Sequence, residues 1–237
     1  MFIVILLYGL LLMQNYLGAK NGSGVYQRIV QLIPPHDTFI EPFLGTGAVL
    51  RHKAPAQRDI GVDLNPRCLS SLDHPSAELV RMCAFKFLRD FDFQNNGRVC
   101  LYLDPPYLPS TRTSNARYEH ELTEDQHITL LEIIQSLPAN IILSGYPSDL
   151  YDSVLVDGAG WWSDTFQAMS RGGVRTEKLW CNFIPGEIHY HTYAGKNFTD
   201  RQRIQRKADR WAAKIKKLPI GERQAVMAAM IQALSET

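Results

Sequence analysis

The residues with the clearest chemistry are Asp104-Pro105-Pro106-Tyr107, directly after the apolar run Val99–Leu103. Two prolines stiffen this loop and remove two backbone donors, leaving carbonyls as acceptors. An aspartate beside a proline carbonyl is an acceptor pair suited to an amino group carrying two hydrogens. The Tyr107 ring offers a face on which a planar base can stack. Together the four residues describe a site for a flat, NH2-bearing ring. A second feature is the turn Glu41-Pro-Phe-Leu-Gly-Thr-Gly47, where glycine lets the backbone approach a ligand without a Cβ in the way. It lacks the Lys-Ser/Thr pair of a phosphate-cradling P-loop. A third is Asp63, which follows Gly45 by 18 residues. That is the spacing of an acid that accepts hydrogen bonds from ribose hydroxyls. Asp63 could also serve as a turn or cap for the helix opened by Asn65-Pro66.

These residues need a scaffold that brings them to one place. Short apolar runs at Thr38–Glu41, Asp59–Val62, Val99–Leu103 and Asn140–Leu143 read as buried strands, with a late strand at Lys178–Phe183. Helical spacing runs over residues 124–137, and Ala48-Val49-Leu50 opens a helix after the glycine turn. Alternation of strands and helices predicts a parallel α/β sheet covered on both faces. In such a sheet the carboxyl ends of the strands line the ligand crevice, and Glu41, Asp63 and Asp104 all stand at such ends. The polar loop 108–123 carries Arg112 and Arg117, which are candidates to grip phosphates or enter beside an extruded base. Trp161-Trp162 reads as core or lid. His189 and His191 have no further ligands at metal spacing, so no metal site is expected.

In this order on one chain, the motifs resemble those of the DPPY-type, S-adenosylmethionine (SAM)-dependent DNA adenine-N6 methyltransferases. These are the Dam-like group, and the likeness is greatest to its compact phage and prophage members. It spans about residues 14–185. Tyr16-Leu-Gly-Ala-Lys20 resembles the family's N-terminal cofactor motif. Glu41 to Gly47, with Phe43, Gly45 and Gly47, resembles its methionine-binding turn. Asp63-Leu64 matches its ribose and adenine contact, and Asp104–Tyr107 its catalytic motif. Leu143-Ser-Gly-Tyr146 with Asp149-Leu-Tyr151, and Thr176–Asn182, are similar to later motifs. The resemblance implies a Rossmann-like methyltransferase sheet, SAM as cofactor and double-stranded DNA as partner. It also implies a flipped-out adenine and a role in restriction-modification or regulation. Two departures stand out. Met82-Cys83-Ala84 occupies the place where many relatives have an acid, leaving Phe85 to pack against the cofactor's adenine. No large target-recognition insert fits between Asp63 and Asp104 or elsewhere, so a target sequence that is short, or nearly absent, is expected. Alternatives are an RNA or cytosine-N4 amino methyltransferase, or an inactive DNA-binding accessory protein. A cytosine-C5 enzyme would use a thiol after proline, and the chain has no Pro-Cys pair.

The whole chain sets the limits. It has 237 residues, 45% hydrophobic and 21% charged, which fits one large domain with an appendage and excludes a disordered, collagen-like or purely coiled-coil chain. The four cysteines form no CxxC pair, so a reduced cytoplasmic location, in a bacterium or a phage-infected host, is expected. The net charge of +1 divides into +5 from residue 198 onward and −4 before it. A basic tail on an acidic body points to a polyanionic partner. In that tail, apolar residues at 204, 208, 211, 215 and 218 mark one helix face. Pro219 and Gly221 break the helix, and a second runs from about Glu222 to Leu234. Arg206, Lys207 and Arg210 are its DNA-contact candidates, against the reading of a solvated basic face. Residues 1–13 are apolar but as a helix reach only about 20 Å, short of a hydrocarbon core of about 30 Å. They are expected to be an upstream extension before a start at Met13, or a buried or interfacial helix, without stable membrane association. The expected divisions are 1–13, 14–197 and 198–237.

Overall fold

A computed structural model describes residue 20 and residues 24–111, 120–170, 173–186, 194–195 and 197–235. Tyr16, Arg112, Arg117, His189, His191 and the apolar residues 1–13 lie outside the described residues. The chain divides into two compact units, Met1–His191 and Thr192–Thr237.

The first unit is built on one seven-stranded sheet. Its strands are β1 (Thr38–Glu41), β2 (Arg58–Asp63), β3 (Ala77–Arg81), β4 (Val99–Leu103), β5 (Asn140–Gly145), β6 (Trp162–Ser170) and β7 (Gly173–Cys181), in the order β3-β2-β1-β4-β5-β7-β6. β1 to β5 are mutually parallel. The helices are α1 (Val25–Val30), α2 (Ala48–His52), α3 (Pro66–Ser70), α4 (Ala84–Asp90) and α5 (Glu124–Ser136). A short α6 (Asp149–Tyr151) runs into a π-helical stretch, Asp152–Gly158. From β1 to β3 the chain steps one way across the sheet, and from β3 through β4 to β5 it steps back. Right-handed crossovers therefore put α2 and α3 on one face and α4 and α5 on the other. The contacts agree: α1 packs on α2, and α4 on α5. This is the Rossmann-like sheet with helices on both faces that the sequence leads one to expect, and its order reverses between β1 and β4.

β1 and β4 are buried along their whole length. Together with β5 they carry much of the core, where Ile40, Leu101, Leu103, Ile141 and Leu143 pack against Leu130, Ile134 and Trp180. One difference from the sequence expectation is topological. The late strand is not parallel: β7 lies antiparallel to β5 and is paired with β6 as a hairpin. A hairpin needs no crossover helix, and the residues before Lys178 are too polar to have signalled a strand. Edge strand β3 was equally silent, because most of its residues are exposed and two are charged.

The second unit is a pair of helices, α7 (Phe198–Lys216) and α8 (Ile220–Ser235). Asn197 caps α7 by accepting from the Asp200 N–H at 2.9 Å. The Arg223 guanidinium donates to the Lys216 and Leu218 carbonyls at 3.0 and 3.2 Å, satisfying acceptors at the α7 C-terminus. Arg206, Lys207 and Arg210 are exposed on α7 and share a face at i, i+3 and i, i+4 spacing. Among the described residues no helix is long and apolar enough to cross a membrane.

Beneath the sheet, Lys53 and Asp59 form an ion pair at 2.5 Å with side chains 1% and 3% exposed. The Lys53 ammonium also sits 4.6 Å over the Phe39 ring. Removing one partner of a buried pair strands the other charge, so Asp59→Ala is expected to destabilise the fold by about 3–5 kcal/mol. Urea denaturation measures it; a loss below about 1 kcal/mol, the scale of a solvent-exposed pair, refutes the burial.

Candidate active site

The site forms where the sheet order reverses. Strand β1 ends at Glu41 and β4 delivers Asp104, while β2 ends next door at Asp63. A cavity of about 270 Å³ opens over these ends. Its lining includes Lys20, Glu41, Phe43, Gly45, Asp63, Leu64, Phe85, Asp104 and Pro106 from the sequence-predicted set. Met82 and Cys83 line it as well. The volume is near the lower end of the roughly 300–1,000 Å³ usual for small-molecule pockets.

The glycine turn is held by Asp63. Asp63 Oδ2 accepts the Gly45 N–H at 2.9 Å, and Asp63 Oδ1 accepts the Asn65 N–H at 2.8 Å. Asn65, not Asp63, caps α3, accepting from the Arg67 N–H at 2.9 Å. Each Asp63 oxygen keeps a second lone pair, so the carboxylate can hold the turn and still accept from a ligand hydroxyl. Glu41 is buried and its Oε2 accepts the Leu50 N–H in the first turn of α2 at 3.0 Å. Burial drives the Glu41 carboxyl well above the usual carboxylate range, against the Leu50 hydrogen bond, and the Asp104 charge adds to the rise. Gly47 does not line the cavity. It caps α2 with φ +62°, where a Cβ would collide with Leu72 and press on Leu44. Leu64 at the rim is 43% exposed, an apolar surface beside the cavity.

At the other end, Asp104 is gripped by polar groups from several elements. Its Oδ1 lies 2.9 Å from the Lys20 ammonium and accepts the Ser144 hydroxyl at 2.9 Å. Ser144, on β5, also meets the Tyr102 hydroxyl at 2.9 Å. Lys20 is 3.4 Å from Glu177 Oε2 and donates to the Tyr107 hydroxyl. Tyr107 in turn donates to Glu177 Oε2 at 3.2 Å. Two carboxylates thus surround one buried ammonium. Burial alone would lower the Lys20 pKa, but Asp104 and Glu177 more than offset it and hold the ammonium well above the usual lysine range. Burial raises the Asp104 carboxyl; Lys20 opposes that rise and Glu177 adds to it.

The loop after β4 does not present all of its residues to the cavity. Asp104 and Pro106 line it, Pro105 is buried, and Tyr107 is 5% exposed with its ring edge-on to Tyr146 at 4.5 Å. A base stacking on Tyr107 therefore has to take the place of a ring contact already made. Sequence reading did not single out Glu177 or Ser144 individually, although both lie in segments that resemble later family motifs. It also passed over the lining residues His120 to Leu122 and Gln126. The capping box Thr123-x-x-Gln126 that opens α5 was the available signal for the last group. Among the described residues no group of three or more His, Cys, Asp or Glu is placed to hold a metal ion. The four cysteines are free thiols.

Glu41 gives this site a pH dependence of unusual sign. Its folded pKa is raised, so above an ordinary glutamate pKa of about 4.3 the folded chain keeps a proton that the unfolded chain releases. That contribution to stability is lost as pH rises. Glu41→Gln keeps an acceptor for the Leu50 N–H and removes the titration. Its urea midpoint is expected to fall less than the wild type's between about pH 5 and 8. Equal falls in the two proteins would refute the elevated pKa.

No family model matches the chain, and no curated protein matches it. Among solved structures it is similar to an rRNA methylase from Streptococcus thermophilus, at 11% identity and TM-score 0.44, over 69% of this chain and 97% of that one. It is also similar to a SAM-dependent methyltransferase from Agrobacterium tumefaciens, at 15% identity and TM-score 0.43, over 68% and 60% of the two chains. A third is a dimethyladenosine transferase from Plasmodium falciparum, at 12% identity and TM-score 0.40, over 82% and 80%.

Proposed function

We propose that this chain is a SAM-dependent DNA adenine-N6 methyltransferase. The observation that carries the reading is the seating of Asp104. Its carboxylate stands at the carboxyl end of β4, at the reversal of strand order, in the same cavity as Asp63 and Glu41. The residues present fit the cofactor. Asp63 has acceptor capacity left for ribose hydroxyls, the Gly45 turn leaves room for a close approach, and Leu64 and Phe85 supply apolar surface for an adenine ring. Besides Glu41, which burial keeps protonated, the lining acids Asp63, Asp104 and Glu121 suit a ligand with a sulfonium cation. SAM supplies the electrophilic methyl group.

The chain's own residues do the rest. The target adenine has to leave the duplex stack, because its amino nitrogen is otherwise out of reach. Asp104 and the Pro105 carbonyl then accept the two N6 hydrogens and aim the nitrogen lone pair at the methyl group. As nitrogen gains positive charge, the Asp104 carboxylate stabilises it in a site that is already organised. Ser144 and Lys20 fix the orientation of that carboxylate, so little reorganisation is needed during transfer. Tyr107 stacks on the base once its contact with Tyr146 gives way.

The test is transfer from labelled SAM to unmethylated double-stranded DNA, with nucleoside analysis of the product. N6-methyladenine is the expected product, and Asp104→Ala is expected to abolish it while largely sparing SAM binding measured by calorimetry. Unchanged turnover in that variant would sink the assignment. Product on RNA, or N4-methylcytosine, would replace it with one of those activities. SAM binding with no transfer to any nucleic acid would leave a DNA-binding accessory role.

DNA contact by α7 is part of the same proposal. Arg206, Lys207 and Arg210 form a cationic face matched to a phosphate backbone. Each phosphate neutralised contributes about 0.9 to the log–log salt slope of binding, so reversing all three charges is expected to flatten the slope by about 2–3. An unchanged slope would return the helix to a structural role.

A further inference from the structure

The antiparallel strand β7 does more than close the sheet. Its register against β5 runs from Cys181 opposite Ile142 to Lys178 opposite Gly145, the last residue of β5. Glu177, the next residue along β7, therefore emerges just past the carboxyl end of β5. That is the side of the sheet where Asp104 stands. The neighbours of Glu177 in β7 are spoken for. Lys178 and Trp180 donate to the two Asp152 carboxylate oxygens at 2.8 Å each, and Asn182 Oδ1 accepts the Ile141 N–H at 2.8 Å. These contacts fix the strand on the C-terminal side of Glu177. Glu177 itself is 9% exposed, and its Oε2 meets both Lys20 and the Tyr107 hydroxyl.

We infer that Glu177 is a positioning residue for methyl transfer: through Lys20 and Tyr107 it holds the Asp104 carboxylate in its working orientation. The inference rests on the amino-methyltransferase reading above and adds a residue outside the Asp104–Tyr107 loop to it. Lys20 reaches Asp104 from a segment remote from β4. With Asp104 as its only anionic partner it would be held on one side; Glu177 holds it on the other. The same contact keeps the Tyr107 hydroxyl in place, so the two ends of the catalytic loop share one carboxylate as anchor.

Charge gives the role a readout. The titratable groups around Asp104 are Lys20, Glu41 from β1, Tyr102 from β4, Tyr107, Tyr151 from α6 and Glu177 from β7. Of the two groups besides burial that act most on Asp104, Lys20 favours the carboxylate and Glu177 opposes it. Glu177→Gln removes the opposing charge while keeping the size of the side chain. The acid limb of the kcat–pH profile is therefore expected to move to lower pH. At the same time kcat at neutral pH is expected to fall by about tenfold to a hundredfold from lost positioning, with KM for SAM unchanged. Glu177→Asp keeps the charge on a shorter arm. It is expected to leave the acid limb where it is and recover part of kcat.

The experiment combines these profiles with a double-mutant cycle of Lys20→Met and Glu177→Gln on urea stability. Non-additivity of about tenfold or more in the folding equilibrium constant is expected for partners in contact. Additive effects would overturn the contact. A coupled cycle with kcat and acid limb both unmoved in Glu177→Gln would make Glu177 structural only and overturn its positioning role. If the wild type methylates neither DNA nor RNA, the reaction itself is refuted, and the cycle alone decides whether Glu177 holds Lys20.

Discussion

A single ammonium buried between two carboxylates is the constraint around which this site is organised. Desolvating Lys20, Asp104 and Glu177 is costly, and only close mutual contact makes it tolerable. Lys20 lies within 2.9 Å of Asp104 and 3.4 Å of Glu177, so the contact is made. Removing Lys20 leaves two buried carboxylates uncompensated, and removing either carboxylate leaves the ammonium held on one side only, which makes the group cooperative. It also ties together parts of the chain that are far apart in sequence: the segment before α1, the loop after β4, and the hairpin strand β7. A site assembled this way cannot drift in one member without the others following. That property is valuable where a lone pair has to be aimed within a fraction of an ångström.

The acids at the other end of the cavity work on another principle. Asp63 and Glu41 are engaged mainly with backbone N–H groups, not with cations. Each therefore has a structural duty that is independent of any ligand: Asp63 shapes the Gly45 turn and Glu41 satisfies an otherwise unpaired donor at the start of α2. The chain thus uses fold-holding residues as cavity walls. The arrangement explains why the cavity is preformed, since the wall cannot collapse inward without breaking hydrogen bonds that the sheet ends require.

Much of this was legible in the sequence because it is local. The strand endings at Glu41, Asp63 and Asp104 follow from apolar runs that stop at an acid, and helices α5 and α7 from periodic spacing. Val99–Leu103 and its Asp-Pro-Pro-Tyr extension occur where the pattern puts them. What stayed hidden is long-range. The Lys178–Cys181 half of β7, which pairs with β5, reads as a strand, whereas the polar half Gly173–Glu177 pairs with β6 alone and owes its strand character to that partner and not to its own composition. Glu177 read as a member of a motif with no assigned duty, because its duty depends on a register that only pairing creates. The burial of Tyr107 was hidden for the same reason. Its ring contact with Tyr146 and its hydroxyl contacts with Lys20 and Glu177 all come from other segments.

Because β7 runs antiparallel to β5, its first half, Glu177 included, lies beyond the carboxyl end of β5, where Ser144 reaches Asp104. Gly145, the last residue of β5, faces the Trp180 ring, and a Cβ there would lie 3.4 Å from it. Trp180 is fully buried and is fixed in turn by its indole donation to Asp152. Backbone pairing sets the spacing between β5 and β7, and the ring fills the space over the glycine. That spacing places Ser144 and Glu177 on two sides of the Asp104–Lys20 pair. The hydrophobic core and the polar cluster are therefore parts of one structural solution, with the core fixing the strands whose ends form the site.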